Sequence, residues 1–215
     1  ANVMSIEVFD VRHDIKNLFV SPQIRARFLQ MQPGEVSQIH SHDVGHEVFL
    51  VLKGRALFEI GEDEAELGPG QLCIAKVDEP HKVTVVGDDP MTMYLSVTPH
   101  VQPTHTMLDR NGERLPTHFM PSAAYDIDTD TRTPMEELVN RFVDLSDEFA
   151  KITQTASEEQ RMAGARLTRA ISSGNWDAAD SQRDAMWFGL YRVYHKLDEL
   201  TELWNAVAPR AGRVK

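Results

Sequence analysis

Apolar residues in this chain follow two different periods, and the change between them falls near residue 130. Before it, apolar stretches are short and bounded by turn formers. Ser5–Phe9, Ala26–Met31, Val36–His42, Glu47–Leu52, Arg55–Ile60, Ala65–Leu67, Leu72–Ala75, Lys82–Val86 and Thr92–Val97 read as strands. Pro33-Gly34, Lys53-Gly54, Gly68-Pro69-Gly70 and Asp88-Asp89-Pro90 break them. Many short strands with regular turns predict a sandwich or barrel. In Glu47–Leu52 one face is Glu47, Phe49 and Val51, and the other is Val48, Leu50 and Leu52. Both are apolar beyond Glu47, so this strand is expected to need a cover outside the barrel, from a second subunit or from the C-terminal segment.

From Thr133 the spacing becomes helical. Thr133-Pro134-Met135-Glu136 reads as a capping box, and Leu138, Phe142, Leu145, Phe149 and Ile152 follow at steps of four and three. Ser157-Glu158-Glu159-Gln160 reads as a second capping box, opening a shorter helix that Ser173-Gly174-Asn175 ends. A further helix is expected from about Asp177 to Ala206, with Met186, Leu190, Val193, Leu197, Leu200 and Trp204 as its seam. The pattern predicts a helical hairpin or a three-helix extension. Trp187 and Trp204 belong to packing surface rather than to a cofactor box. Trp187, Phe188 and Tyr191 lie beside the seam. Together with the doubly apolar strand, they lead to the expectation of a homodimer. The expected organisation is a β-barrel domain at 1–110, a linker wrap at 111–132 and a helical extension at 133–208. The stretch 99–131 is rich in Pro, Thr and Asp and carries His100, His105 and His118, which read as loop residues.

Composition narrows the function. The 215 residues carry a net charge of −11, and neither half is basic, which argues against a nucleic-acid or anionic-membrane partner. The helices are too long and too mixed in charge for a helix-turn-helix reader. No apolar run is long enough to span a bilayer, and no signal peptide is visible. Cys73 is the only cysteine; it sits in the apolar run Leu72-Cys73-Ile74-Ala75 and reads as a core thiol. A reducing, cytoplasmic location is the expectation.

The chemistry concentrates in residues 33–54, PGEVSQIHSHDVGHEVFLVLKG. His40 and His42, at i and i+2, share a face only on a strand. The step from His42 to Glu47 is odd, so the 43–46 segment has to turn the chain for Glu47 to join them. Two neutral imidazoles and a carboxylate then converge, a set suited to a divalent transition metal.

Gly34, five residues, His40-Ser41-His42, four residues, Glu47, six residues and Gly54 resemble the first motif of the cupin superfamily at every position. The second motif is partial. Gly70, Pro80 and His81 are present, while the family's usual Pro, Gly and Asn fall at Lys76, Asp78 and Val85. The resemblance covers roughly residues 20–100. It implies a mainly β fold, a single jelly-roll barrel of the cupin type carrying the C-terminal helices. It also implies one divalent ion (Fe, Mn, Ni, Cu or Zn) held by His40, His42, Glu47 and His81. Four ligands on an octahedral ion leave two positions for water, dioxygen or a chelating substrate. The implied function is a mononuclear metal-dependent enzyme, dioxygenase-like, acting on a small organic molecule. The alternative is a non-catalytic small-ligand-binding or sensor cupin. No catalytic residue beyond the ligands can be assigned. Gln38 is expected to point inward beside the metal. Arg25 and Arg27 sit on an early strand; one could pair a substrate carboxylate, although either reads more readily as a surface charge. His46 is expected to face away from Glu47, near the ligands or in solvent, and Tyr94 or Met93 to line the cavity.

Overall fold

The computed structural model of the protein describes residues 6–128 and 130–212. Its contacts divide the chain into two units, residues 1–129 with 208–215, and residues 130–207. The described residues of the first unit form ten strands: β1 (Asn17–Val20), β2 (Arg25–Met31), β3 (His40–Ser41), β4 (His46–Lys53), β5 (Arg55–Ile60), β6 (Asp63–Leu67), β7 (Leu72–Ala75), β8 (His81–Val86), β9 (Met91–Thr98) and β10 (Thr106–Met107). They form two antiparallel five-stranded sheets, ordered β1-β2-β9-β4-β7 and β10-β3-β8-β5-β6, which is a jelly-roll arrangement.

Strand alternation builds the core. In β4, Glu47, Phe49 and Val51 are buried, and they pair with Val97, Leu95 and Met93 of β9. Directly paired residues point to the same side of a sheet, so these six face inward together. Phe49, Val51, Met93 and Leu95 join Phe58, Val83 and Val85 of the second sheet in the hydrophobic core. The opposite face of β4 (Val48, Leu50, Leu52) is half-buried, and beside it Leu72 and Ile74 are exposed. Cys73 packs against the core; burial first, then Glu47, pushes its thiol up to about 11, so it stays neutral.

Three strand expectations change. Ser5 lies outside the described residues, and residues 6–9 are irregular; the first strand is β1. The expected strand Val36–His42 shrinks to β3, with one isolated bridge from Val36 to Thr84. The reason is local: Ser37 Oγ accepts the Val83 N–H at 2.9 Å, so a side chain takes a bond the ladder would have used. Finally, the stretch 99–131, whose histidines read as loop residues, supplies β10, which pairs with β3.

The second unit is a hairpin of two helices, α1 (Met135–Ser172) and α2 (Trp176–Val207). Neither expected capping box forms. Pro134 is the N-cap of α1 without a side-chain cap, and Ser157–Gln160 lies inside a continuous helix. No proline stands between Ile152 and Leu167, and packing along one seam carries α1 through Gly164. That seam runs Leu138, Phe142, Leu145, Phe149, Ile152, Ala156, Ala163 and Ala170. In α2, Ala179, Gly189 and Val207 are buried and Met186, Val193 and Leu200 half-buried along one line; Leu190 and Leu197 are exposed. The expected α2 seam is therefore rotated. Gly189 and the stem of Lys196 occupy the contact instead of the larger apolar neighbours. Gly189 leaves room for Gln160, whose Nε2 donates to the Met186 carbonyl at 2.6 Å. Among the described residues no helix is long and apolar enough to cross a membrane.

Candidate metal centre

His40 and His81 are register partners on neighbouring strands β3 and β8, so their rings start side by side. Glu47 enters from the other sheet, opposite Ala75 and Val97. His42 follows β3, and the chain bends at Asp43–Val44 before β4 begins. Asp43 is held there by Thr106 Oγ1 at 2.7 Å and Arg114 Nη1 at 2.9 Å. The Asp78 N–H donates to the His42 carbonyl at 3.0 Å. Asp78 has φ +63° and stands where the motif usually has Gly. Aspartate is among the few residues that tolerate this conformation, so the turn survives the substitution.

One ligand atom from each of His40, His42, Glu47 and His81 lies within 4.8 Å of the others. Glu47 Oε2 is 2.8 Å from His42 Nε2, 3.0 Å from His81 Nε2 and 3.7 Å from His40 Nε2. His40 Nε2 and His81 Nε2 are 3.1 Å apart. Each Nδ1 is tied to a backbone carbonyl: His40 to Gln38 O at 2.9 Å, His42 to Thr104 O at 2.5 Å and His81 to Glu79 O at 2.9 Å. A carbonyl only accepts, so each Nδ1 carries the proton, and in the neutral rings each Nε2 presents a lone pair. Three imidazole lone pairs and a carboxylate oxygen then face one another at hydrogen-bond distance with no proton between them. Such a set requires a cation or added protons. Atoms about 2.1 Å from one ion and at right angles lie about 3 Å apart, close to the spacings seen here. The donor set therefore fits a divalent transition metal. Burial works to raise the Glu47 pKa, but the surrounding His40, His42 and His81 outweigh it and hold the carboxyl well below its ordinary value.

A cavity of about 650 Å³ opens beside this cluster, with His40 in its wall. His40 is also the least buried of the four ligand side chains, at 14% exposure. Gln38 lines the cavity and is exposed; its carbonyl orients His40. Arg27 lines the cavity as well, half-buried, and Arg25 beside it is buried, so neither is a surface charge. His46 is exposed and accepts the Val77 N–H at Nδ1, 3.1 Å, away from the cluster. Tyr94 does not reach the cavity. It pairs with Phe28 and Leu50 on the outer face of its sheet and packs edge-on against Phe28, because β9 turns Met93, Leu95 and Val97 inward. Met93 is core.

The 99–128 stretch contributes what the sequence reading undervalued. The His105 ring centroid is 4.9 Å from that of His40 and 5.0 Å from that of His42. His105 and His118 line the cavity. Burial first, then His40 and Arg25, hold His105 well below its ordinary pKa, so it is neutral. His100 is buried; its Nδ1 lies 3.1 Å from Thr104 Oγ1, on the residue whose carbonyl orients His42. No local pattern marks these residues. They are brought in by the pairing of β10 with β3.

The family model for the cupin domain matches residues 27–98. Among solved structures, TT1209 from Thermus thermophilus is 23% identical, with a TM-score of 0.42, over 44% of this chain and 98% of that one. A protein with a double-stranded beta-helix domain from Klebsiella pneumoniae is 18% identical, with a TM-score of 0.45, over 49% of this chain and all of that one. A recombinant oxalate oxidase in complex with glycolate is 19% identical, with a TM-score of 0.34, over 36% of this chain and 42% of that one. A comparison with curated proteins finds no match. The matched segment contains every position of the glycine–histidine–glutamate motif from His40 onward and the second-sheet histidine that completes the ligand set. Residues 27–98 form a cupin domain.

Proposed function

We propose that the protein is a mononuclear metal-dependent enzyme, dioxygenase-like, acting on a small organic molecule. One observation carries the reading: His40 belongs both to the converging ligand set and to the wall of the 650 Å³ cavity, so a molecule in the cavity lies against the ligand cluster. A bound divalent transition metal would supply Lewis-acid and redox chemistry there. The chain's own part is positional. The three Nδ1–carbonyl bonds fix ring orientation, and Glu47 brings the single negative charge. Neutral His105 offers one donor and one acceptor beside the ligands.

A second reading, a ligand-binding or sensor protein without turnover, draws support from the helical unit. Trp187, Leu190, Tyr191 and Tyr194 form an exposed stripe on α2, a surface suited to a partner, including a second copy of the chain. A cytoplasmic homodimer is part of the proposal under either reading. Light scattering on the full chain at micromolar concentration gives twice the monomer mass if the dimer is right and 24.3 kDa if it is wrong. Oxygen uptake by the Fe(II)-loaded protein with small phenols, thiols and dicarboxylates separates the two readings. Turnover that chelation abolishes supports the enzyme. Tight binding without turnover across such a panel supports the sensor.

A further inference from the structure

Arg25 and Arg27 occupy the inward face of β2, opposite Val97 and Leu95 of β9, and both line the cavity beside the ligand cluster. The Arg25 side chain is only 5% exposed. Its one carboxylate contact is long: Nη2 lies 3.9 Å from Glu47 Oε1, while Glu47 Oε2 is turned to His42 and His81. The Arg25 guanidinium lies over the Tyr125 ring at 5.4 Å. Arg27 forms no ion pair among the described residues. The Nε of both arginines is buried without a hydrogen-bond partner. Two carboxylates bear on the pair, and both are engaged elsewhere: Glu47 is directed at the ligand cluster, and Asp126, which acts on Arg27 without an ion pair, accepts from the Asn17 N–H and Nδ2. A divalent ion in the cluster would add more positive charge to the same space. Buried cations in this arrangement call for an anion that the chain does not provide. Crowding is visible at Arg27, where burial first and then Arg25 lower its pKa.

The remaining wall says what else the anion carries. Met107, Leu115, Met120 and Tyr125 face the same cavity and give it an apolar side. Among the described residues no lysine and no helix N-terminus lines it, features that favour phosphate. The planar guanidinium fork matches a carboxylate. Resting on the proposed function for where the molecule must lie, we infer that this cavity selects a small organic carboxylate with an apolar body. Its carboxylate is held by Arg25 and Arg27, and its body lies along Met107, Leu115 and Met120.

The test is calorimetric titration of the full chain, metal-loaded and metal-free, with 3-phenylpropionate, its uncharged amide 3-phenylpropionamide, and phenyl phosphate. The expected result is that the acid binds at least tenfold tighter than the amide and tighter than the phosphate. Arg27→Gln removes that preference, Arg27→Lys restores part of it, and neither variant changes the metal content. Equal affinity for acid and amide, preference for the phosphate, or an acid preference that survives in Arg27→Gln would each overturn the inference. So would the absence of any binding. If Arg27→Gln fails to fold, the acid–amide comparison on the unaltered chain and on Arg27→Lys still decides. An acid preference without turnover removes the catalytic reading and leaves this inference standing. Metal-dependent turnover of an uncharged molecule does the reverse.

Discussion

Gly54 and Gly34, the two ends of the glycine–histidine–glutamate motif, provide a controlled pair for testing how the barrel is held. Both have positive φ, +71° and +74°. An L-residue there costs roughly 1–2 kcal/mol. They differ in surroundings. A Cβ on Gly54 would lie 2.5 Å from the Pro90 carbonyl oxygen and 2.8 Å from the Met91 Cα, backbone that cannot swing aside, whereas a Cβ on Gly34 meets nothing within 4 Å. Overpacking of this kind adds about 1–3 kcal/mol. Gly34→Ala should therefore cost about 1–2 kcal/mol, and Gly54→Ala about 2–5 kcal/mol, before a shared entropic offset of roughly 0.4–1 kcal/mol from the stiffer unfolded chain. The offset cancels in the comparison. Trp176, Trp187 and Trp204 all lie in α2, so tryptophan fluorescence follows the helical unit and not the barrel. Hydrogen exchange of peptides covering β4 and β9 reads the barrel directly. Equal losses of protection in the two variants, or a larger loss in Gly34→Ala, would refute the steric argument.

Other outcomes follow from buried groups. Burial first, then Arg25 and His42, lower the His100 pKa from 6.5 to about 4. Between those values the unfolded chain binds a proton that the folded chain refuses. The contribution is thus complete above pH 6.5 and is lost as pH falls toward 4, with a span of about 3 kcal/mol. His100→Gln should flatten that part of the urea-stability profile between pH 7.5 and 4.5, and an unchanged slope would count against it. In the hairpin, Leu138 is 4% exposed and Leu197 is 38% exposed. Leu138→Ala should cost about 2–4 kcal/mol and Leu197→Ala well under half as much, measured by urea unfolding through tryptophan fluorescence. Equal effects would show that the α2 seam is not the one described.

The strands that carry the core were legible because each alternates cleanly: β4, β5, β8 and β9 lie within one or two residues of their expected bounds. The first motif was legible because the i, i+2 spacing puts His40 and His42 on one strand face, a turn can bring Glu47 to them, and the whole spacing resembles the cupin motif. What the sequence hid has definite causes. Ser37 replaces a ladder bond with a side chain, so the strand before His40 is shorter than its alternation suggests. Leu190 and Leu197 fit a seven-residue repeat as well as Gly189 and Lys196 do, and size made them the natural choice. Burial chose the smaller residue and the aliphatic stem. Arg25 and Arg27 read as surface because charge on a strand normally is; only the register with β9 turns them inward. His105 owes its place to the pairing of a two-residue strand with Ser41 and His40, more than sixty residues earlier, which no local pattern encodes.

The central claim is that His40, His42, Glu47 and His81 hold one metal ion. Elemental analysis of the full chain after separate loading with Mn, Fe, Ni and Zn, followed by removal of loosely held ions, tests it most directly. About one equivalent of one of these metals per chain is expected, with ligand distances near 2.0–2.3 Å by X-ray absorption, and close to none in His42→Ala. A wild-type chain that retains none of the four, or a His42→Ala chain that retains a full equivalent, would contradict the account.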